Sequence, residues 1–272
     1  MDKLFDIKNR VAVITGATGV LCGEMARELA RRGAKVAVAG TTQERADKLA
    51  DEINGMGGNA IGLAVNVLDK DSLIKARDKV MKAYGRVDIL VNGAGGNNKA
   101  ATVSPDLSFF DIPADALKWV FDLNILGTIL TTQVFGEVMV KQGKGSIINI
   151  SSMNSYRPLT NIVAYSAAKA GINNFTQWMA VHFSQKYSAD IRVNAIAPGF
   201  FLTNQNRFLL VDEKTGEPTS RAKQILGHTP MGRYGTPEDL LGTLVWLASD
   251  ASAFVTGVVV PVDGGFSAYS GV

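Results

Sequence analysis
A single α/β domain on one doubly wound, seven-stranded parallel sheet follows from three features of this 272-residue chain. Short runs rich in Val, Ile and Ala recur along it, apolar without strict alternation, as strands covered on both faces are. Helical patterns closed by glycine lie between them. The alternation runs from end to end, and no linker, repeat or low-complexity segment divides residues 1–272.

The strands read, in order, 10–15 (RVAVIT), 35–39 (KVAVA), 60–65 (AIGLAV), 88–92 (DILVN), 145–151 (GSIINIS), 190–197 (DIRVNAIA) and 257–262 (GVVVPV). The helical pattern EMARELARRG stops on Gly33, and DSLIKARDKVMKAYG stops on Gly85. Thr41 and Glu44 read as a capping box opening the helix after the second strand. Thr236-Pro237-Glu238-Asp239 opens the last helix, with proline in its first turn. Residues 200–235 break the rhythm. A long polar excursion of this kind is more often a functional loop than filler.

Composition narrows the function. With 46% apolar residues the chain can bury a sizeable core, and a net charge of +3 without a basic run points away from nucleic acid. The lone cysteine, Cys22, forms no internal disulfide, which fits a reducing compartment, and it reads as a packing residue. The opening MDKLFDIKNR carries charges where a signal peptide needs an apolar core. No apolar run approaches the ~20 residues of a membrane span. The expectation is a soluble, cytoplasmic protein with no membrane partner.

The turn TGATGVLCG (15–23) lies between the first strand and first helix, where helix N–H groups and the helix dipole attract phosphate. Its glycines, at 16, 19 and 23, do not follow the G-x-G-x-x-G spacing, and alone they are weak evidence for a nucleotide. Tyr165 and Lys169, in AYSAAKAG, stand four apart and share a helix face. A free phenol, with a pKa of ~10, is a poor proton-transfer group near neutrality. An ammonium beside it favours the phenolate.

The spacing of several motifs resembles the short-chain dehydrogenase/reductase family over essentially the whole chain. Ser152 precedes Tyr165 by thirteen residues, Asn124 sits in FDLNILGT, Asn92–Gly95 reads NGAG where the family has NNAG, and RVNAIAPGFFLT and VDGG follow. The resemblance implies a Rossmann-type fold and hydride transfer between a nicotinamide and a carbonyl or alcohol carbon. It implies Tyr165 as proton donor or acceptor, Ser152 on the substrate oxygen, and Lys169 on the nicotinamide ribose while depressing the tyrosine pKa. Asn124 would position a relay water. Gly16, Thr18, Gly19, Val20 and Leu21 would hold the dinucleotide phosphates. Thr41, Asn66, Val67, Asn92 and Ala94 would line its adenosine side, and Pro198, Gly199 and Thr203 the nicotinamide. It further implies pairing of helices over 115–140 and 164–187 across subunits of a homotetramer.

The chain departs from the family pattern T-G-x-x-x-G-x-G at Val20 and Cys22, where the family has glycines. A β-branched residue resists positive φ, so a reshaped turn is expected, with Gly19 in the permissive conformation and Gly23 packing closely. Asn66 replaces an aspartate common in the family. Thr41 ends the second strand without an acid, removing repulsion of a 2′-phosphate and favouring NADP(H) over NAD(H), with Arg45 as a candidate contact. Asn97, Lys99, Arg157 and Arg207 suit a polar, anionic substrate, with arginine able to grip a carboxylate bidentately. Within the family, AGGNN, NISSMNSYRPLTNIVAYSAAKAG and VDGGFSAYSGV resemble the D-mannonate oxidoreductases, which reduce D-fructuronate. Gluconate 5-dehydrogenase and 3-oxoacyl-carrier-protein reductase remain alternatives, as does a non-catalytic dinucleotide sensor.

Overall fold
The computed structural model describes residues 3–202, 210–211 and 216–271. Seven parallel strands form one sheet: β1 (Val11–Thr15), β2 (Lys35–Gly40), β3 (Asn59–Ala64), β4 (Ile89–Asn92), β5 (Gly145–Ile150), β6 (Ile191–Pro198) and β7 (Val259–Val262). Their order is β3-β2-β1-β4-β5-β6-β7, so the winding reverses between β1 and β4. That reversal opens a crevice at the carboxyl ends of the strands, the usual ligand position in such sheets.

Side chains along β1 alternate between two cores although the sequence does not alternate in polarity. Ala12 and Ile14 pack with α1 (Val20–Arg31), α2 (Gln43–Gly55) and α8 (Leu241–Ala248), through Met25, Leu29, Ile53 and Leu247. Val11 and Val13 pack with α3 (Lys70–Tyr84), α5 (Gly127–Gln142) and α6 (Val163–Lys186), through Val80, Phe135, Met139 and Phe183. All seven expected strands are present within two residues at either end.

Gly33 and Gly85, at φ +84° and +76°, end α1 and α3 as expected. The Thr41–Glu44 capping box does not form. Helix α2 starts at Gln43 with Thr42 as an N-cap whose side chain makes no cap bond. Gln43 takes over the local bonding, donating to the Gly62 carbonyl at 2.9 Å and accepting from the Ala64 N–H at 3.1 Å, which ties α2 to β3. At the other candidate start Thr236 N–H donates to Asp239 at 2.8 Å, and Pro237 opens a 3-10 turn into α8.

Helix α4 (Ala114–Phe121) runs through a π-turn (Asp122–Leu126) into α5. This continuous helix, Ala114–Gln142, is long and apolar enough by length and composition to cross a membrane, contrary to the sequence expectation. Its most apolar stretch is 56% buried, and α5 belongs to the core beneath the sheet.

The excursion after β6 leaves and returns at one neck. Phe201 and Gly235 form a parallel bridge, and Gly235 N–H donates to the Phe200 carbonyl at 2.9 Å. It includes α7 (Ser220–Gly227) and a small cluster of its own, Leu210, Ala222 and Ile225 against Phe200, Leu202 and Tyr234.

Candidate active site
The β1–α1 turn is built around Gly16, not Gly19. Gly16 has φ +67°, and a Cβ there would lie 2.7 Å from the Gly93 carbonyl oxygen. Gly19 is extended at φ −86° and caps α1. Its N–H returns to the Gly16 carbonyl at 3.0 Å, so the chain is already helical at Val20, where a β-branched residue meets no strain. Gly23 packs as expected, since a Cβ there would stand 3.1 Å from the Ala17 carbonyl oxygen. No side chain caps α1, which leaves its first N–H groups for an anion. Leu21 lies half-buried against the core on the same turn of α1.

Two departures from the family pattern touch each other. A Cβ on Gly93 would collide with Cys22 Sγ. Cys22 fills the space that a side chain at 93 would need. It is buried, burial pushes its thiol up to about 11 with Lys169 opposing, and it is therefore a packing residue.

On the adenosine side, Thr18 packs over Gly40, where any Cβ would strike it, and Thr41 follows in an exposed position. Arg45 donates to the Thr18 carbonyl at 3.1 Å, which places a cation in this corner. Asn66 is exposed and turns the chain, accepting the Leu68 N–H at 3.0 Å. Val67 is buried and packs on Gly127. Asn92 does not present its side chain to a ligand. It is 3% exposed, and its amide donates to Thr132 at 3.0 Å and Asn149 at 2.8 Å. Asn149 passes the chain on to Thr176 at 2.9 Å, so these amides lace β4, β5, α5 and α6 together. Ala94 N–H, with Gly93 N–H, donates to the Thr15 hydroxyl, at 3.2 and 3.1 Å.

Ser152 follows the end of β5, and its hydroxyl faces Tyr165 on α6 closely enough to lower the phenol pKa. One helical turn on, Lys169 is 5% exposed and donates to the Ile150 carbonyl at 2.7 Å. Its ammonium lies 5.5 Å from the centre of the Tyr165 ring. Burial pushes Lys169 down to about 8, with Cys22 opposing. The expected depression of Tyr165 is not found. Burial raises the phenol above its ordinary value, and Ser152, not the lysine, works against that rise. The lysine proton is aimed at a carbonyl instead.

Asn124 sits in the π-turn, a distortion that often marks functional positions. Its amide donates to the carbonyls of Gly96 at 2.7 Å and Val120 at 2.8 Å, and its oxygen accepts the Gly96 N–H at 3.2 Å. With both amide hydrogens spent on backbone, the side chain holds the Gly93–Gly96 loop. Gly95 comes so close that a Cβ would stand 2.7 Å from Asn124 and 3.3 Å from Lys169.

Pro198 ends β6, and a Cβ on Gly199 would lie 2.6 Å from Asp263 Cα, so the VDGG segment packs on this neck. Thr203 and Arg207 lie outside the described residues. Asn97 spends its amide on Thr102 at 2.9 Å. Lys99 is exposed and makes no ion pair among the described residues. Arg157 is exposed and donates to the Ser267 carbonyl at 3.2 Å, which fastens the C-terminal turn beside the serine segment. Sequence reading missed the Asn149–Thr176 lacing and Asn154, whose side chains carry no motif beyond being polar within apolar runs.

A doubly wound sheet with Ser152, Tyr165 and Lys169 at its carboxyl edge defines an oxidoreductase of the short-chain type, and residues 16–267 match the family described as enoyl-(acyl carrier protein) reductase. The chain belongs to the short-chain dehydrogenase/reductase family. It is 51% identical to the uncharacterised oxidoreductase UxuB of Bacillus subtilis (strain 168), over 98% of each chain. A crystal structure from Haemophilus influenzae, provisionally assigned as a D-mannonate oxidoreductase and holding NAD, superposes with a TM-score of 0.92 at 50% identity over 98% of each chain. A gluconate 5-dehydrogenase from Burkholderia cenocepacia J2315, in complex with NADP and tartrate, gives 0.87 at 30% identity, again over 98% of each chain.

Proposed function
We propose that this NAD(P)-dependent oxidoreductase interconverts D-fructuronate and D-mannonate. The observation that carries the chemistry is the meeting of Ser152 and Tyr165 past the end of β5, with Lys169 one turn behind them. Support for a sugar acid comes from the exposed Lys99 and Arg157 near the site and from the relatives above. The uncapped α1 terminus and the Gly16 cradle fit a dinucleotide pyrophosphate.

When bound, the nicotinamide supplies or accepts the hydride. Ser152 holds the substrate oxygen by a hydrogen bond, and Tyr165 gives that oxygen its proton during reduction. A phenol kept protonated by burial is a ready donor in this direction. Lys169 is suited to the nicotinamide ribose hydroxyls, and Asn124 holds the loop that packs against it. A sensor with no catalytic duty has no need of this set.

The β2 end lacks the carboxylate that would exclude a 2′-phosphate, while Arg45 is already engaged by Thr18. We therefore infer that both coenzymes are accepted, NADP(H) being somewhat preferred, which accords with relatives that hold NAD and NADP. Helices α5 and α6 flank an apolar hollow, with Trp178 and Tyr187 exposed at 57% and 55%. A second copy covering this face in a symmetric homotetramer is part of the same reading, as is a cytoplasmic location. Nicotinamide absorbance with D-fructuronate, 5-ketogluconate and a 3-oxoacyl thioester tests the assignment. Turnover best on the thioester would replace it.

A further inference from the structure
Three buried side-chain atoms among the described residues have no hydrogen-bond partner: Asn92 Oδ1, Asn154 Oδ1 and Ser166 Oγ. All belong to the catalytic end of the sheet. Asn92 closes β4, Asn154 stands two residues past Ser152, and Ser166 is next to Tyr165. Leaving a polar group buried and unpaired costs about 1–3 kcal/mol, so such atoms mark strain or a ligand contact. Asn92 belongs to the amide lacing of the core. Ser166 is a hydroxyl within a helix, free to rotate toward a carbonyl of the preceding turn. Asn154 has neither outlet.

Asn154 is 6% exposed and lies in the 3-10 turn Met153–Ser155. Its N–H donates to Ser152 Oγ at 3.3 Å, so its backbone touches the hydroxyl assigned to the substrate oxygen. The turn is braced from behind. Ser155 Oγ donates to the Ser152 carbonyl at 2.6 Å, and Asn173 of α6 donates to Ser155 Oγ at 2.8 Å. Ser151 Oγ in turn donates to Asn173 at 2.6 Å. These bonds hold the Met153–Ser155 backbone in place beside Ser152.

We propose that Asn154 is a specificity-determining residue whose carboxamide oxygen accepts a hydroxyl on a carbon next to the reacting carbonyl. The proposal rests on the polyhydroxy-ketone reading above and names one group by which that substrate class is selected. An α-hydroxy ketone offers an O–H one carbon from the oxygen held by Ser152, and Asn154 is anchored beside that serine. A ketone with only hydrogen there leaves the buried acceptor unpaired and is rejected, as sites built for a substrate hydroxyl reject analogues lacking it.

The test compares wild type, Asn154→Leu and Asn154→Ser on two ketone pairs. D-fructuronate and levulinate are both anionic, and only the first has the adjacent hydroxyl. Acetoin and butanone repeat the contrast without a carboxylate. In Asn154→Leu the kcat/KM ratio of hydroxylated to plain ketone falls at least tenfold in both pairs, mainly through KM. Coenzyme affinity, read by nicotinamide fluorescence, stays unchanged. Asn154→Ser keeps an acceptor and recovers part of the ratio. An unchanged acetoin/butanone ratio in Asn154→Leu overturns the role of Asn154. Wild type that reduces acetoin and ignores D-fructuronate overturns the sugar-acid reading and leaves that ratio to decide Asn154 by itself.

Discussion

Cys22 occupies the volume that a side chain at Gly93 would fill, and these two positions are both departures from the family pattern. The thiol stands where the pattern has glycine, and glycine stands where it has asparagine. The pair exchanges bulk across the seam between α1 and the loop after β4. That loop reaches Asn124 and Lys169 within three residues, so its position bears on the catalytic end. Gly93→Asn alone should destabilise the protein by about 1–3 kcal/mol through overpacking. Combined with Cys22→Gly, the loss should shrink by about 0.5–3 kcal/mol, the range for touching residues. Urea unfolding of the two single variants and the double variant measures the coupling; strict additivity would contradict the exchange.

Tyr165→Phe keeps the ring and removes the proton donor. Turnover should fall by about 10²–10⁴-fold, with coenzyme affinity nearly unchanged. Stopped-flow reduction and fluorescence titration separate the two, and retention of more than about a tenth of wild-type rate would remove Tyr165 from its role.

Lys169 sets a pH dependence of stability. Its folded pKa is lowered from 10.5 to about 8 by burial, so between those values the unfolded chain binds more protons than the folded one. Stability contributed by this group therefore rises as pH climbs from about 8 toward 10.5, and is flat below. Chemical denaturation of wild type and Lys169→Met at pH 7, 8.5 and 9.5 should show wild type gaining relative to the variant. Parallel curves would mean that the ammonium pays no burial cost.

Thr41→Asp places a carboxylate at the end of β2, beside the adenosine ribose of the bound coenzyme. The kcat/KM ratio of NADPH to NADH should drop about tenfold or more, since repulsion acts on the 2′-phosphate alone. An unaltered ratio would place the ribose elsewhere.

The strands were legible because burial on both faces writes unbroken apolar runs, and Ser152, Tyr165 and Lys169 were legible through spacing. What escaped depended on three-dimensional competition. Gln43 outbids the Thr41–Glu44 box because β3 offers it a carbonyl and an N–H. Gly16 takes the positive φ because the Gly93 backbone crowds it, a contact between positions far apart in sequence. Asn92 turns inward because Thr132 and Asn149 meet it there. Asp115, Lys118 and Asp122 break the apolar pattern of the helix ending at Gln142, which hid its full length. The raised Tyr165 phenol reflects burial, which the Tyr-x-x-x-Lys spacing does not encode.

Carboxylate recognition is the point on which the assignment turns. The measurement is kcat/KM for D-fructuronate and for D-fructose in wild type, Arg157→Ala, Lys99→Ala and Arg207→Ala. Wild type should favour the uronate, and one cation variant should lose about 10- to 150-fold on the uronate, the equivalent of a charged hydrogen bond of about 1.5–3 kcal/mol. The same variant should change little on fructose. Equal losses on both sugars in all three variants would contradict a site that reads the carboxylate.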